Sequence, residues 1–158
     1  VAVRDPQAAA IGVRLRAELA GVAKSLTMEI TAALIEACPV DTGHARRNFV
    51  PSLGVPFEGV DDGAAQIAGQ AAVLGYTLVD GDIHVTNNVP YIGPLIGGSS
   101  DQAPPGWDIA AVDRAVAAVQ ARYDGVTIDV TTSGLVSERG AAAAFGLAGA
   151  YSPFGGEE

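Results

Sequence analysis

The chain has 158 residues, the size of one ordinary domain, and 49% of them are hydrophobic, enough for a single core without a disulfide or metal to hold it. Eighteen acidic residues against nine Lys and Arg give a formal charge of −9, which excludes the basic footprint of a protein that grips nucleic acid. Cys38 is the only cysteine, and His44 and His84 are the only histidines, so neither an internal disulfide nor a Cys/His metal cluster can be assembled.

Asp5-Pro6 reads as a helix start, because Asp caps free N–H groups and proline suits the first helical position. Apolar residues then recur at Ile11, Leu15, Leu19, Val22, Leu26, Ile30, Ala33 and Ala37, in steps of three and four, and Pro39 stops the pattern. The spacing predicts a helix over 7–37, overlong for the domain, that overhangs the core and packs on a neighbour. The residues Val1–Pro6 do not read as a signal peptide, and no stretch approaches the ~18–20 apolar residues of a membrane span. The expectation is a soluble protein made in a cytoplasm, with no membrane partner.

A turn at 40–43 leads into a predicted strand at 45–53, with Phe49 and Leu53 on one face and Pro51 marking it as an edge. After a loop at 54–61, Asp61 and Asp62 place negative charge at the start of a second helix, with Ile67, Ala71, Leu74 and Leu78 as its expected buried stripe. A turn at 80–82 precedes a short strand, 83–86, with Ile83 and Val85 inward. Residues 87–106 hold four glycines and four prolines, a long irregular segment of the kind that is functional or ordered by a partner. A third helix is expected from Trp107 or Asp108 to Tyr123, with Ile109, Val112, Val116, Val119 and Tyr123 inward. A last strand follows at 126–132, alternating Val126, Ile128 and Val130 with polar neighbours. Beyond it, 133–158 is rich in Ala and Gly and reads as a flexible arm. The expected fold is therefore α+β, in the order α-β-α-β-α-β. A domain over 1–132 carries a small, mostly antiparallel sheet packed on the long helix.

Few residues offer chemistry. Asp41-Thr42-Gly43 resembles the aspartic-protease triplet, but His44 follows it and a long helix, not an apolar strand, precedes it. The simpler reading is a turn in which Asp41 bonds backbone N–H groups and Gly43 takes a positive φ. Asp41 and His44 are the only plausible acid/base pair for a hydrolase, and no Gly-x-Ser-x-Gly nucleophile motif is present. Cys38, beside Pro39, reads as a buried small hydrophobe. Arg46-Arg47 is a basic pair in an acidic chain: either one arginine is solvated and the other lies at the core rim, or the pair meets an acidic neighbouring subunit. The glycine-rich 146–156 lacks the Lys-Ser/Thr of a nucleotide loop. The stretch 87–107 has shape rather than chemistry. Its stiff prolines, with Tyr91 and Trp107, suit a protein interface because such loops lose little entropy on docking.

Two segments in order carry a family resemblance. Pro39-Val40-Asp41-Thr42-Gly43 followed by Arg46-Arg47-Asn48-Phe49 resembles the Val-Asp-Thr-Gly turn and aromatic strand of the tail-completion, or neck, family of tailed bacteriophages, the group of minor tail protein Z of phage lambda. Ile83-His84-Val85-Thr86-Asn87-Asn88-Val89-Pro90-Tyr91, then Leu95 and Gly97, resembles that family's second strand, Asn-x-x-Pro-Tyr turn and glycine loop. The likeness spans about residues 7–123. Ile96 precedes Gly97 where the family often carries an acidic residue, so that carboxylate has no counterpart here.

The resemblance implies a non-enzymatic virion protein of the neck, assembled in the host cytoplasm. It would act at the head–tail interface, joining the connector to the tail as a homo-oligomeric ring, a hexamer to match the tail. Its partners would be sister subunits, connector or head-closure proteins, the tail terminator or tail tube, and packaged DNA that passes without specific binding. Six copies would carry a formal −54 (six times −9), suited to a low-friction DNA channel. Neighbouring stations, a tail terminator or a head-closure subunit, are the alternatives within the same junction. Asp41, Gly43, Asn87, Pro90, Tyr91 and Gly97 are the expected structural turns. Arg46, Arg47, Pro94, Leu95, Pro104, Trp107, Tyr151 and Phe154 are the expected contact residues, carried on the helix overhang, the loop 88–106 and the C-terminal arm.

Overall fold

The computed structural model describes residues 5–135 and 142–147, the two segments 131–135 and 142–147 by their backbone. Helix α1 (Pro6–Ala37) begins where the Asp5 carboxylate accepts from Gln7 N at 2.9 Å, with Pro6 opening the first turn. Its 32 residues span about 48 Å. Only its C-terminal part, from Ala20 on, enters the core, through Ala20, Val22, Leu26, Ile30 and Leu34. Thr27 and Thr31 are buried on the same helix, and each hydroxyl donates to the carbonyl four residues back, so no polar atom is stranded there.

A 3-10 turn (Arg46–Asn48) occupies the first half of the expected strand 45–53, and β1 (Val50–Leu53) the second. Helix α2 (Ala64–Leu74) precedes β2 (Ile83–Asn87); α3 (Ile92–Ile96), a short helix inside the segment 87–106 expected to be irregular, and α4 (Trp107–Gln120) come next, and β3 (Thr131–Leu135) and β4 (Ala142–Leu147) follow. The four strands form one sheet in the order β1-β2-β4-β3, every pair antiparallel. Pro51 lies on β1, an edge strand, where its missing N–H costs no central ladder bond. The fold is a small α+β domain led by a long helix, as the sequence predicts.

The main core joins α1, α4 and β2 through Leu26, Ile30, Leu34, Phe49, Val85, Val89, Ile92, Val112 and Val119. A smaller cluster of Ala20, Val73, Tyr76 and Ile83 lies beneath α2. The α1–α4 pairing is fastened at its end by Arg122, which donates to Glu29 at 2.9 Å, and by Ser25 against the Tyr123 hydroxyl at 3.0 Å.

Four expectations are corrected. The stripe Ile67, Ala71, Leu74 and Leu78 of α2 faces outward, with Ile67 70% and Leu74 65% exposed. The inward face is instead Gln66, Gly69 and Val73. Gln66 donates to the carbonyls of Arg46 and Phe49, and Gly69 lies against the Pro51 carbonyl of β1. A face pressed onto backbone selects small and hydrogen-bonding residues, not bulky ones. Ile109 of α4 is also exposed, while Ala111, Val112, Ala115 and Val119 are buried, because the helix offers its small residues to α1.

The last strand is shifted. Val126, Ile128 and Val130 do alternate inward against the core, but along an extended segment held by Gln120, which accepts from Ile128 N and donates to Val126 O. Regular pairing starts at Thr131. Within the segment 133–158, read as an arm, Ala142–Leu147 is strand β4, seated between β2 and β3. Main-chain hydrogen bonds carry such a strand, so an Ala/Gly composition does not reveal it. The rest of that arm, with Tyr151 and Phe154, lies outside the described residues.

Candidate functional site

The two segments that carry the resemblance meet in space. Asn87, fully buried at the end of β2, donates to Ala45 O at 2.8 Å and accepts from Val89 N at 3.2 Å. Asn48, equally buried, donates to the carbonyls of His44 and Asp61 at 2.9 Å each and accepts from Asp61 N at 3.0 Å. Asn88 donates to Phe57 O at 2.6 Å. Three asparagines thus lock the Asp-Thr-Gly turn, the loop 57–61 and the Pro-Tyr turn into one body. An amide side chain suits this work because it donates and accepts at once.

Above this lock an open cleft of about 160 Å³ is lined by 39–45 on one side and Tyr91, Leu95, Ser100 and Gln102 on the other. Ligand pockets run to roughly 300 Å³ and more, so the cleft is small for a substrate. Gln102 spans its floor, accepting from Val40 N and donating to Val40 O, both at 2.8 Å. Gly43 takes φ +77°, as expected of the turn. Among the described residues the Asp41 carboxylate accepts no hydrogen bond, contrary to expectation; Thr42 Oγ1 accepts from His44 N at 3.4 Å instead. His44 lines the same cleft, but its Nδ1 lies 3.9 Å from Asp62, a fully solvated carboxylate, rather than being paired with Asp41. Geometry for proton relay between Asp41 and His44 is therefore not assembled.

Arg46 is corrected as a contact residue. Its Nε donates to Cys38 O at 2.8 Å and its Nη2 to Glu36 O at 3.3 Å, so it closes the C-terminal end of α1. Arg47 is exposed and lies over Gly43 and Gly63. Trp107 is corrected too. It is buried, meets the Phe49 ring edge-on at 6.3 Å between centroids, and donates from Nε1 to Leu95 O at 3.1 Å. It anchors the loop 88–106 from within. Leu95 packs partly against the core, whereas Pro90, Tyr91, Pro94, Gly97 and Pro104 are exposed along that loop.

Beside the turn, burial pushes the Cys38 thiol up to about 11, with the Arg46 guanidinium opposing part of that rise. A thiol held neutral in this way is a poor nucleophile. Asn48 and Asn87 were visible in the motifs as residues but not as a lock, and Gln102 gave no signal in the sequence at all.

The other prominent surface is the free end of α1. From Pro6 to Glu18 every residue but Gly12 is exposed, including Ile11, Val13 and Leu15. This is the overhang expected from the sequence, about 20 Å of helix beyond the core.

No family model, curated protein or solved structure matches the chain. No helix among the described residues is long and apolar enough to cross a membrane.

Proposed function

We propose that this chain is a structural subunit of a tailed-phage neck, a tail-completion protein that assembles into a ring around the DNA channel between connector and tail. The observation that carries this reading is the overhang of α1. Its core-facing stripe continues past the domain through Leu15 and Ile11, and among the described residues of the chain none covers it. A surface of that kind on a small domain marks an interaction site. The exposed residues Pro90, Tyr91, Pro94, Gly97 and Pro104, on a segment anchored by Trp107, supply a further surface for the neighbouring connector or tail proteins. The acidic balance of −9 suits a lining that DNA slides past. The reading is non-catalytic: the cleft at the Asp-Thr-Gly turn is small and its Asp41 and His44 are not paired.

The test is sedimentation velocity over a wide concentration range, with electron microscopy of the fastest species. Rings with a central hole are expected. A chain that stays monomeric at every concentration and does not join purified heads or tails would overturn the proposal, and peptidase turnover abolished by Asp41→Asn in a folded protein would replace it.

A further inference from the structure

The outward face of α2 packs on none of the described residues. Ile67, Ala71 and Leu74 share it by steps of four and three, and Leu78 and Val79 extend it past the helix end. Ile67 and Leu74 are each about two-thirds exposed, and Val79 is 91% exposed. Helix α2 itself carries no charged residue. Resting on the ring reading above, we propose that this face receives the overhanging end of α1 from a second copy of the chain, as the head-to-tail contact of the assembly.

Three observations select that occupant. The first is shape: both partners are helices with a narrow apolar stripe. The free end of α1 is about 20 Å long and the eleven residues of α2 about 16 Å. The second is charge. Residues 1–24 hold four basic and two acidic side chains, a net +2, whereas residues 48–113 hold eight acidic side chains and no Lys or Arg, a net −8. On the overhang, Arg14 and Arg16 lie on the two flanks of the Ile11–Leu15 stripe, with Asp5 and Glu18 at its ends. On the receiving side, Asp61 and Asp62 precede α2 and Asp80 and Asp82 follow it, and Arg47 lies near the helix start. Basic flanks therefore meet acidic ends around an apolar seam, the arrangement that fixes register and orientation. The third is placement. The overhang leaves the core at Ala20, which packs against Val73 and Tyr76 below α2. Donor and acceptor surfaces are thus rooted in the same small cluster but belong to different helices. A contact between two different surfaces can propagate from copy to copy, and it forms a ring where the rotation between copies closes.

Two helix segments of this length bury less than the ~1,200–2,000 Å² of a stable binary complex. Each contact is therefore weak alone, and closure of the ring supplies the rest through effective concentration. Assembly is accordingly cooperative, and it weakens as salt screens the charged rim.

The test is cysteine cross-linking in the full chain. Leu15→Cys and Leu74→Cys, both at exposed positions, are prepared as separate proteins, mixed and mildly oxidised, with the unsubstituted chain as control for Cys38. A covalent pair in the mixture, absent from either protein alone, is the expected result. Arg14→Glu with Arg16→Glu should raise the concentration needed for assembly about tenfold. Dimers of the Leu15→Cys protein alone would overturn the proposal in favour of overhang pairing with overhang. Assemblies that form without any cross-link would overturn this surface while leaving the ring standing. A strictly monomeric chain would overturn both.

Discussion

Replacing Gly69 by alanine sets two effects of opposite sign against each other. In an exposed helix interior the change gains about 1 kcal/mol, because alanine loses less backbone entropy on folding. In α2, however, a Cβ at position 69 would stand 2.0 Å from the Pro51 carbonyl oxygen and 3.0 Å from its carbon. Carbon–oxygen contacts settle near ~3.3 Å, so the helix must withdraw from β1 by about 1 Å. The atoms it meets are backbone and cannot rotate away. Withdrawal lifts Val73 from its fully buried seat and stretches the Gln66 hydrogen bonds to Arg46 O and Phe49 O, now 2.8 and 3.0 Å. Overpacking of this kind costs about 1–3 kcal/mol and each weakened hydrogen bond up to about 1. The net expectation for Gly69→Ala is a loss of about 2 kcal/mol, read as a lower urea midpoint by circular dichroism at unchanged slope. Gly12→Ala is the control: in α1 an added Cβ meets nothing within 4 Å, so this variant should gain up to about 1 kcal/mol. A Gly69→Ala protein as stable as the parent would refute the close approach of α2 to β1 and the account of why its inward face is small.

Asn87→Ala should cost about 3 kcal/mol in the same assay, since it strands the buried Ala45 carbonyl and Val89 N–H together; limited proteolysis should then cut first within 39–45. The Cys38 thiol should resist alkylation at neutral pH in the native chain and react at once in denaturant. Because its folded pKa of about 11 lies above the ordinary 9.0, the native state holds the proton longer. The thiol's contribution is full below pH 9 and is lost as pH rises from 9 to about 11, at up to about 1.4 kcal/mol per unit. Cys38→Ser should flatten that alkaline decline, and an unchanged profile would refute the assignment.

What the sequence made legible was periodic and local. Eight apolar positions at helical spacing, with Asp5-Pro6 before and Pro39 after, mark α1 because nothing else competes for those signals. Pro51 identifies an edge strand for the same reason. The failures share a different cause. Ile67, Ala71 and Leu74 form a proper amphipathic stripe, yet the partner of α2 is a strand's backbone, which Gly69 and Gln66 fit and leucine does not. Periodicity reports which face is apolar, not which face is covered. Trp107 in a Pro/Gly-rich context looks like a surface aromatic, and only the position of Phe49 turns it inward. At the cleft, Gly43 was readable from its turn, but Asn48 reaches 13 residues to Asp61, Asn87 reaches 42 to Ala45 and Gln102 reaches 62 to Val40, and such pairings leave no pattern in a single chain.

The place of β4 has a consequence for how the molecule is made. It is the last of the described strands to leave the ribosome, yet it lies inside the sheet, between β2 and β3. Until it arrives, β2 presents an unfilled margin from Ile83 to Asn87, and β3 has no neighbour to hold it. The nascent chain can seat α1 on α4 and pair β1 with β2 early, but the four-stranded sheet waits for β4. A ribosome stalled before residue 142 leaves a template that a strand from another molecule can occupy.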